Sequence, residues 1–192
     1  METTRAYKGN PYRDIVYPGG PQMIPGTIWC AYFDVGGEGV AYHDTVEGNQ
    51  GSGKLNPING TYLHAFRIDE NVDTSYTKTN GVDDSPYNFV TPEMGMPYVG
   101  WTEPGEWVKY TVDVKQSGFY AIGLLYTSNR GGVISLSVDD VDATGPIAIP
   151  TTFVAEDPEG WRQWHHWNQM EEMVRIPLEA GIRVLTLHTV EN

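Results

Sequence analysis

Twenty-two glycines and 13 prolines are spread along the 192 residues, and no long window keeps an apolar period of 3.6 free of them. Glycine weakens a helix by entropy, and proline by its missing N–H and its ring. The longest helical candidate, Asn168 to Arg175, is short and is closed by Pro177. The chain therefore reads as all-β, with many short strands separated by turn residues.

The clearest strands lie in the second half. From Trp107 to Val114, the residues Val108, Tyr110, Val112 and Val114 alternate with more polar ones, the pattern of a strand with one buried face. Gln116-Ser117-Gly118 turns the chain into Phe119–Tyr126. Asn129-Arg130-Gly131-Gly132 turns it again into a run carrying Ile134, Leu136 and Val138. These three runs predict an antiparallel meander of hairpins. Ile147–Ile149 reads as a short strand stopped by Pro150. Met173–Ile176 and Ile182–Val190 read as a further pair joined across Pro177–Gly181. Weaker candidates are Thr27–Phe33, Val40–His43, Tyr62–Ile68 and Tyr98–Trp101. Short strands at this spacing predict a two-sheet β-sandwich of jelly-roll type. Residues 1–25, rich in proline and glycine and poor in alternation, read as an extended arm or linker before a domain spanning 26–192.

Composition narrows the partners. Twelve basic residues against 25 acidic ones leave a formal charge of −13, which lacks the basic footprint of a nucleic-acid binder and disfavours an anionic membrane surface. No apolar run reaches the ~18 residues of a membrane-spanning helix. The opening METTRAYKGN has no apolar h-region, so no secretory leader is read there. The single cysteine, Cys30, lies in an apolar run and reads as an inert buried thiol.

Six tryptophans need an account: Trp29, Trp101, Trp107, Trp161, Trp164 and Trp167. Trp101 comes just before the Pro104-Gly105 turn, and Trp161, Trp164 and Trp167 follow the turn-like AEDPEG. A tryptophan at a turn is poorly placed for core packing and well placed as a flat platform. Indole covers the apolar face of a pyranose without asking it for hydrogen bonds, and an uncharged sugar suits an acidic protein.

Catalytic and metal signals are weak. Glu103 and Glu106 flank a turn without the context of a glycosidase acid/base pair. His165 and His166 are adjacent, so on a strand they would face opposite ways and not share a metal. Asp139-Asp140-Val141-Asp142 lacks the rest of a calcium loop and reads as a solvated turn. Neither a catalytic residue, a metal ligand nor a cofactor is expected.

Four strings taken together, GGEGVAYHDT (36–45), YVGWTEPGEWVKYTVDV (98–114), GFYAIGLLYTSNRGG (118–132) and EGWRQW (159–164), resemble a family 6 carbohydrate-binding module over roughly residues 26–192. The resemblance implies a jelly-roll sandwich that binds a polysaccharide without cleaving it, carried by a secreted glycoside hydrolase and so extracellular or at the cell surface. It implies a loop-end cleft in which two aromatic residues clasp a sugar: Trp101, after Val99-Gly100, and Trp161, first of the G-W-x-x-W string. It implies that Trp164 and Trp107 pack within the fold. A sugar-bonding glutamate is implied shortly after a Val-Asp pair; here Val72-Asp73 is followed by Thr74-Ser75, so Ser75 takes that place. The glutamates of a structural calcium site are replaced by Ile28-Trp29-Cys30-Ala31, so no calcium is expected. An N-x-N final strand is implied as well, whereas this sequence ends at His188–Asn192 without it. The rival readings are a structural or docking module of a larger hydrolase, which would not respond to saccharides, and a glycosidase, which would need a carboxylate pair in a cleft.

Overall fold

A computed structural model describes residues 7–56 and 58–192. The first six residues of the expected arm lie outside these. Eleven strands follow in chain order: β1 (Gln22–Ile24), β2 (Tyr42–His43), β3 (Thr74–Tyr76), β4 (Pro97–Val99), β5 (Trp107–Val114), β6 (Gly118–Tyr126), β7 (Gly132–Val138), β8 (Val141–Asp142), β9 (Ile147–Ile149), β10 (Asn168–Leu178) and β11 (Gly181–Glu191). The helical parts are one four-residue helix, α1 (Tyr62–Ala65), and 3-10 turns at Cys30–Tyr32 and Gly160–Trp164.

The larger sheet runs β1-β5-β11-β7-β8, with β2 also on β5 and β9 also on β7. β6 and β10 form a second, antiparallel sheet, and β3 with β4 a third. The core lies between the first two. Val108, Tyr110, Val112 and Val114 of β5 and Leu185 of β11 meet Ile176 and Leu178 of β10, with Tyr120 and Ile122 of β6 packed against them. This is an all-β sandwich.

The alternation in β5 and β6 is as the sequence predicts, but their connection is not a hairpin. β5 pairs with β11, β6 with β10, and β7 with β11. The predicted meander is therefore an arch that crosses from one sheet to the other and back. Two strands that each carry one apolar stripe bury both stripes by facing one another across a core, which neighbours in one sheet cannot do. The same correction applies to the predicted β10–β11 pair, whose members lie in opposite sheets. β10 begins at Asn168 and includes the helical candidate, with a bulge between Met170 and Val174.

Two weak strand candidates are corrected. Thr27–Phe33 holds the 3-10 turn at Cys30–Tyr32, and Tyr62–Ile68 opens with α1. Both feed one aromatic cluster in which Tyr12, Ala31 and Phe66 are buried and Tyr17, Tyr32 and Tyr62 pack around them. Residues 10–24 of the segment read as an arm are docked on the body: Asn10 and Val35 exchange backbone hydrogen bonds of 2.8 Å, Tyr17 stacks on Tyr32, and β1 pairs in parallel with β5.

The outer face of β5 is closed by buried charge. Asp34 accepts from the Thr111 backbone N–H at 2.8 Å and the Thr111 hydroxyl at 2.6 Å. Arg67 donates to the carbonyls of Phe33 and Asp34, forks onto Glu70, and lays its guanidinium 3.3 Å from the Phe33 ring centroid. Ile176 is fully buried against this layer's inner side. Ile176→Ala is expected to cost ~2–5 kcal/mol of stability, whereas exposed Phe119→Ala is expected within ~0.5 kcal/mol of the parent. Urea unfolding followed by tryptophan fluorescence measures both.

Candidate functional site

Trp101 follows β4 and Gly100, whose N–H donates to the Asp73 carbonyl at 2.9 Å. Its backbone is in the left-handed region at φ 48°, and the side chain is 45% exposed. A bulky residue in that region is strained, and such strain clusters at functional sites. The loop beside it is pinned by Asn49, whose Oδ1 accepts from the N–H groups of Gly51, Ser52 and Thr74. Gly51 lies so close to β3 that a Cβ there would meet the Thr74 carbonyl oxygen at 1.9 Å and Trp101 Cζ3 at 3.0 Å. Only glycine allows this approach. On the other side, the Asn192 amide donates to the Thr102 carbonyl.

Glu106 anchors the same rim from below. Its buried carboxylate accepts from Thr45 N–H at 3.0 Å, Thr45 Oγ1 at 2.8 Å and Glu103 N–H at 2.7 Å. Its acceptor oxygens are committed to the loops, so Glu103 and Glu106 form a turn clamp. Nearby Asp44 is pushed up to about 6 by burial, with the charges of Glu106, Asp73 and Glu38 adding to the effect.

Trp161 lies on the 3-10 turn Gly160–Trp164 and is 52% exposed. Beneath this turn Asp157 accepts from Arg162 Nε at 2.7 Å and Nη2 at 2.6 Å, from His166 Nε2 at 2.7 Å and from Glu159 N–H at 2.9 Å. The other nitrogen of the fully buried His166 faces the Thr152 carbonyl at 3.1 Å. The neighbouring His165 turns to a different carboxylate, Asp83, at 2.9 Å. The two histidines thus separate as the sequence expects, though not on a strand.

Ser75 sits on β3, only 4% exposed, and its hydroxyl accepts from Asn56 Nδ2 and Lys78 Nζ, each at 2.9 Å. These bonds tie the loop beside Trp101 to the segment that reaches Trp161. Lys78 N–H donates to Asp83, which also takes the Trp167 indole N–H at 2.7 Å, and Arg162 donates to the Gly81 carbonyl at 3.2 Å. Among the described residues no ring contact joins Trp101 to Trp161; they stand on separate loops linked by this network. An open groove of about 590 Å³ lies along Tyr76, Lys78, Asn80, Val82 and Met94. No group of three His, Cys, Asp or Glu side chains is placed to hold a metal among the described residues. Cys30 is free, and burial pushes its thiol up.

The family profile for "Carbohydrate binding module (family 6)" matches residues 73–192. The chain belongs to this family. No curated protein sequence matches it. Among solved structures, it is similar to a family 6 module of Cellvibrio mixtus lichenase 5A in complex with cellotriose, at 23% identity over 63% of this chain and 78% of that one, TM-score 0.43. It is similar also to a β-1,3-glucan-binding family 6 module from Bacillus halodurans, at 20% identity over 63% and 75%, TM-score 0.42. A third is the C-terminal family 6 module of LamC from Zobellia galactanivorans, at 20% identity over 51% and 73%, TM-score 0.41.

One expectation for this family 6 module is overturned. Trp164 does not pack within the fold; it is 47% exposed, and the buried tryptophan of the segment is Trp167, at 3%. A 3-10 turn has three residues per turn, so positions three apart share a face. Trp161 and Trp164 therefore come out together, while Gln163 turns inward to bond Val154. The i, i+3 spacing carried that signal once the segment was known to be a 3-10 turn.

Asp157 predicts a pH effect. The Arg162 guanidinium first, then Glu159 N–H and His166, hold its carboxyl far below the ordinary Asp value of 3.8. A carboxyl lowered on folding adds stability above its unfolded value, and that contribution is lost as pH falls toward the folded one. The stability gap between the parent and Asp157→Asn is expected to stay constant above pH ~5 and to shrink as pH drops below ~4. Denaturant titrations across that range measure it.

Proposed function

We propose that this family 6 module binds a neutral polysaccharide, without cleaving it, by stacking a sugar ring between the indoles of Trp101 and Trp161. The reading is carried by one observation: two tryptophans, each about half exposed, stand on loops made rigid by buried carboxylates and asparagine. Rigid presentation matters because ordering a mobile side chain on binding costs ~0.5–1.5 kcal/mol.

The energy suits a targeting module. Each indole covering about 40 Å² contributes on the order of 1 kcal/mol at ~25 cal/mol per Å². Rim hydrogen bonds add ~0.5–1.5 kcal/mol each. A total of ~4–8 kcal/mol corresponds to millimolar to micromolar affinity, strong enough to dwell on a polymer and weak enough to move along it. An uncharged ligand meets no repulsion from a charge of −13. In this reading the ligand does not touch Ser75, which holds Lys78 and Asn56 in place between the two loops. The module serves a glycoside hydrolase in the same parent protein, outside the cell where such polymers are met.

Calorimetric titration with xylo-, cello- and laminari-oligosaccharides tests this. Trp101→Ala and Trp161→Ala are each expected to weaken binding about tenfold or more, the loss of ~1.4 kcal/mol, with the unfolding midpoint retained. Parent-like binding by both variants overturns the cleft. Silence of the parent across the panel favours a docking module instead.

A further inference from the structure

The outward face of the 3-10 turn carries more than Trp161. Trp164 shares that face and is exposed to a similar degree. Over its ring, at 6.0 Å from the centroid, lies the guanidinium of Arg130, from the turn between β6 and β7. Arg130 is exposed and has no carboxylate partner among the described residues, although acidic side chains outnumber basic ones two to one in this chain.

That arrangement is built. The Arg130 turn is fastened to the strand end beside it: Thr152 N–H donates to the Ser128 carbonyl at 2.7 Å, Ser128 N–H to Thr152 Oγ1 at 2.9 Å, and Thr151 Oγ1 to the Asn129 carbonyl at 2.7 Å. Gly131, at φ 81°, passes so near β9 that a Cβ would stand 2.8 Å from the Ile149 carbonyl oxygen. Thr152 also gives its carbonyl to His166, which bonds the Asp157 that fastens the 3-10 turn. The turns that carry Arg130 and Trp164 are thus joined by one continuous network, the same one that presents Trp161.

We propose that Trp164 and Arg130 form a second sugar subsite, adjoining Trp161, which takes a further pyranose unit of the same neutral polysaccharide chain. The free indole face stacks on the ring, and the guanidinium, kept close by its attraction to the indole, donates to hydroxyls at the sugar's rim. A point charge without geometry would serve poorly here, whereas the planar guanidinium presents five donors in a fixed fork. The inference rests on the reading that Trp161 stacks a sugar, because continuity with that platform is what assigns the occupant. A chain long enough to cover both platforms gains over a short one.

The test is titration of the whole chain with cello-, laminari- and xylo-oligosaccharides from dimer to hexamer. In the series that binds, the parent's affinity is expected to rise with length. Trp164→Ala is expected to match the parent on the shortest binding oligomer and to fall roughly five- to tenfold behind on the hexamer, the worth of one stacked ring. Trp164→Tyr should recover most of that loss, and Arg130→Ala should show a smaller loss that also grows with length. If Trp164→Ala matches the parent at every length, the subsite is overturned while the Trp101–Trp161 cleft stands. If Trp101→Ala and Trp161→Ala are silent and Trp164→Ala alone abolishes binding, the cleft falls. If the parent binds no series, both readings fall.

Discussion

The rest of the structure depends on two apolar stripes facing each other. Val108, Tyr110, Val112 and Val114 present one side of β5 to Ile176 and Leu178 of β10, and every neighbouring strand is placed so as to extend that contact. Once the stripes oppose each other, the connections must arch between layers. The loops that turn the chain are then gathered at the rims of the sandwich, outside the core. A sandwich made this way separates its tasks: strands supply the free energy of burial, and rims are left to carry side chains with no part in it.

The rims are not slack, and their rigidity comes from an unexpected source. This acidic chain uses carboxylates as fastenings. Asp34 holds Thr111, Asp73 takes the Gln50 N–H, Glu106 gathers Thr45 and Glu103, Asp83 joins Lys78 to Trp167, and Asp157 locks the 3-10 turn. All five are buried. Each accepts from two or more groups, or from a backbone N–H that would otherwise lack a partner, and charge-assisted bonds of this kind are roughly twice as strong as neutral ones. The negative composition is therefore in part internal scaffolding, although the sequence shows it only as a net charge.

How far the sequence reveals all this differs by element. The inward face of β5 is legible residue for residue because Val108, Tyr110, Val112 and Val114 alternate; the burial of Thr111 on its other face, under Asp34, is not. The partners of β5 are not legible, because alternation tells which side chains turn inward and says nothing of which strand lies alongside. Trp101 and Trp161 stand out because each adjoins turn residues, and both are exposed. Ser75 stands in the sequence only as the residue in the place of a sugar-bonding glutamate; its burial and its bonds, to Lys78 three residues on and to Asn56 from the preceding loop, are not legible there. Trp164 is exposed and Trp167 buried because the path changes from the 3-10 turn Gly160–Trp164 to the approach to β10 just between them, at His165 and His166.

The left-handed backbone at Trp101 carries a consequence of its own. Glycine would sit there at ease and asparagine nearly so, while an indole is held in place only by the surrounding loops. Selection for thermal endurance alone would trade the ring away and leave a sturdier domain with a bare rim. A tryptophan at this position therefore carries a backbone cost that its half-exposed ring does not recover by burial in the core.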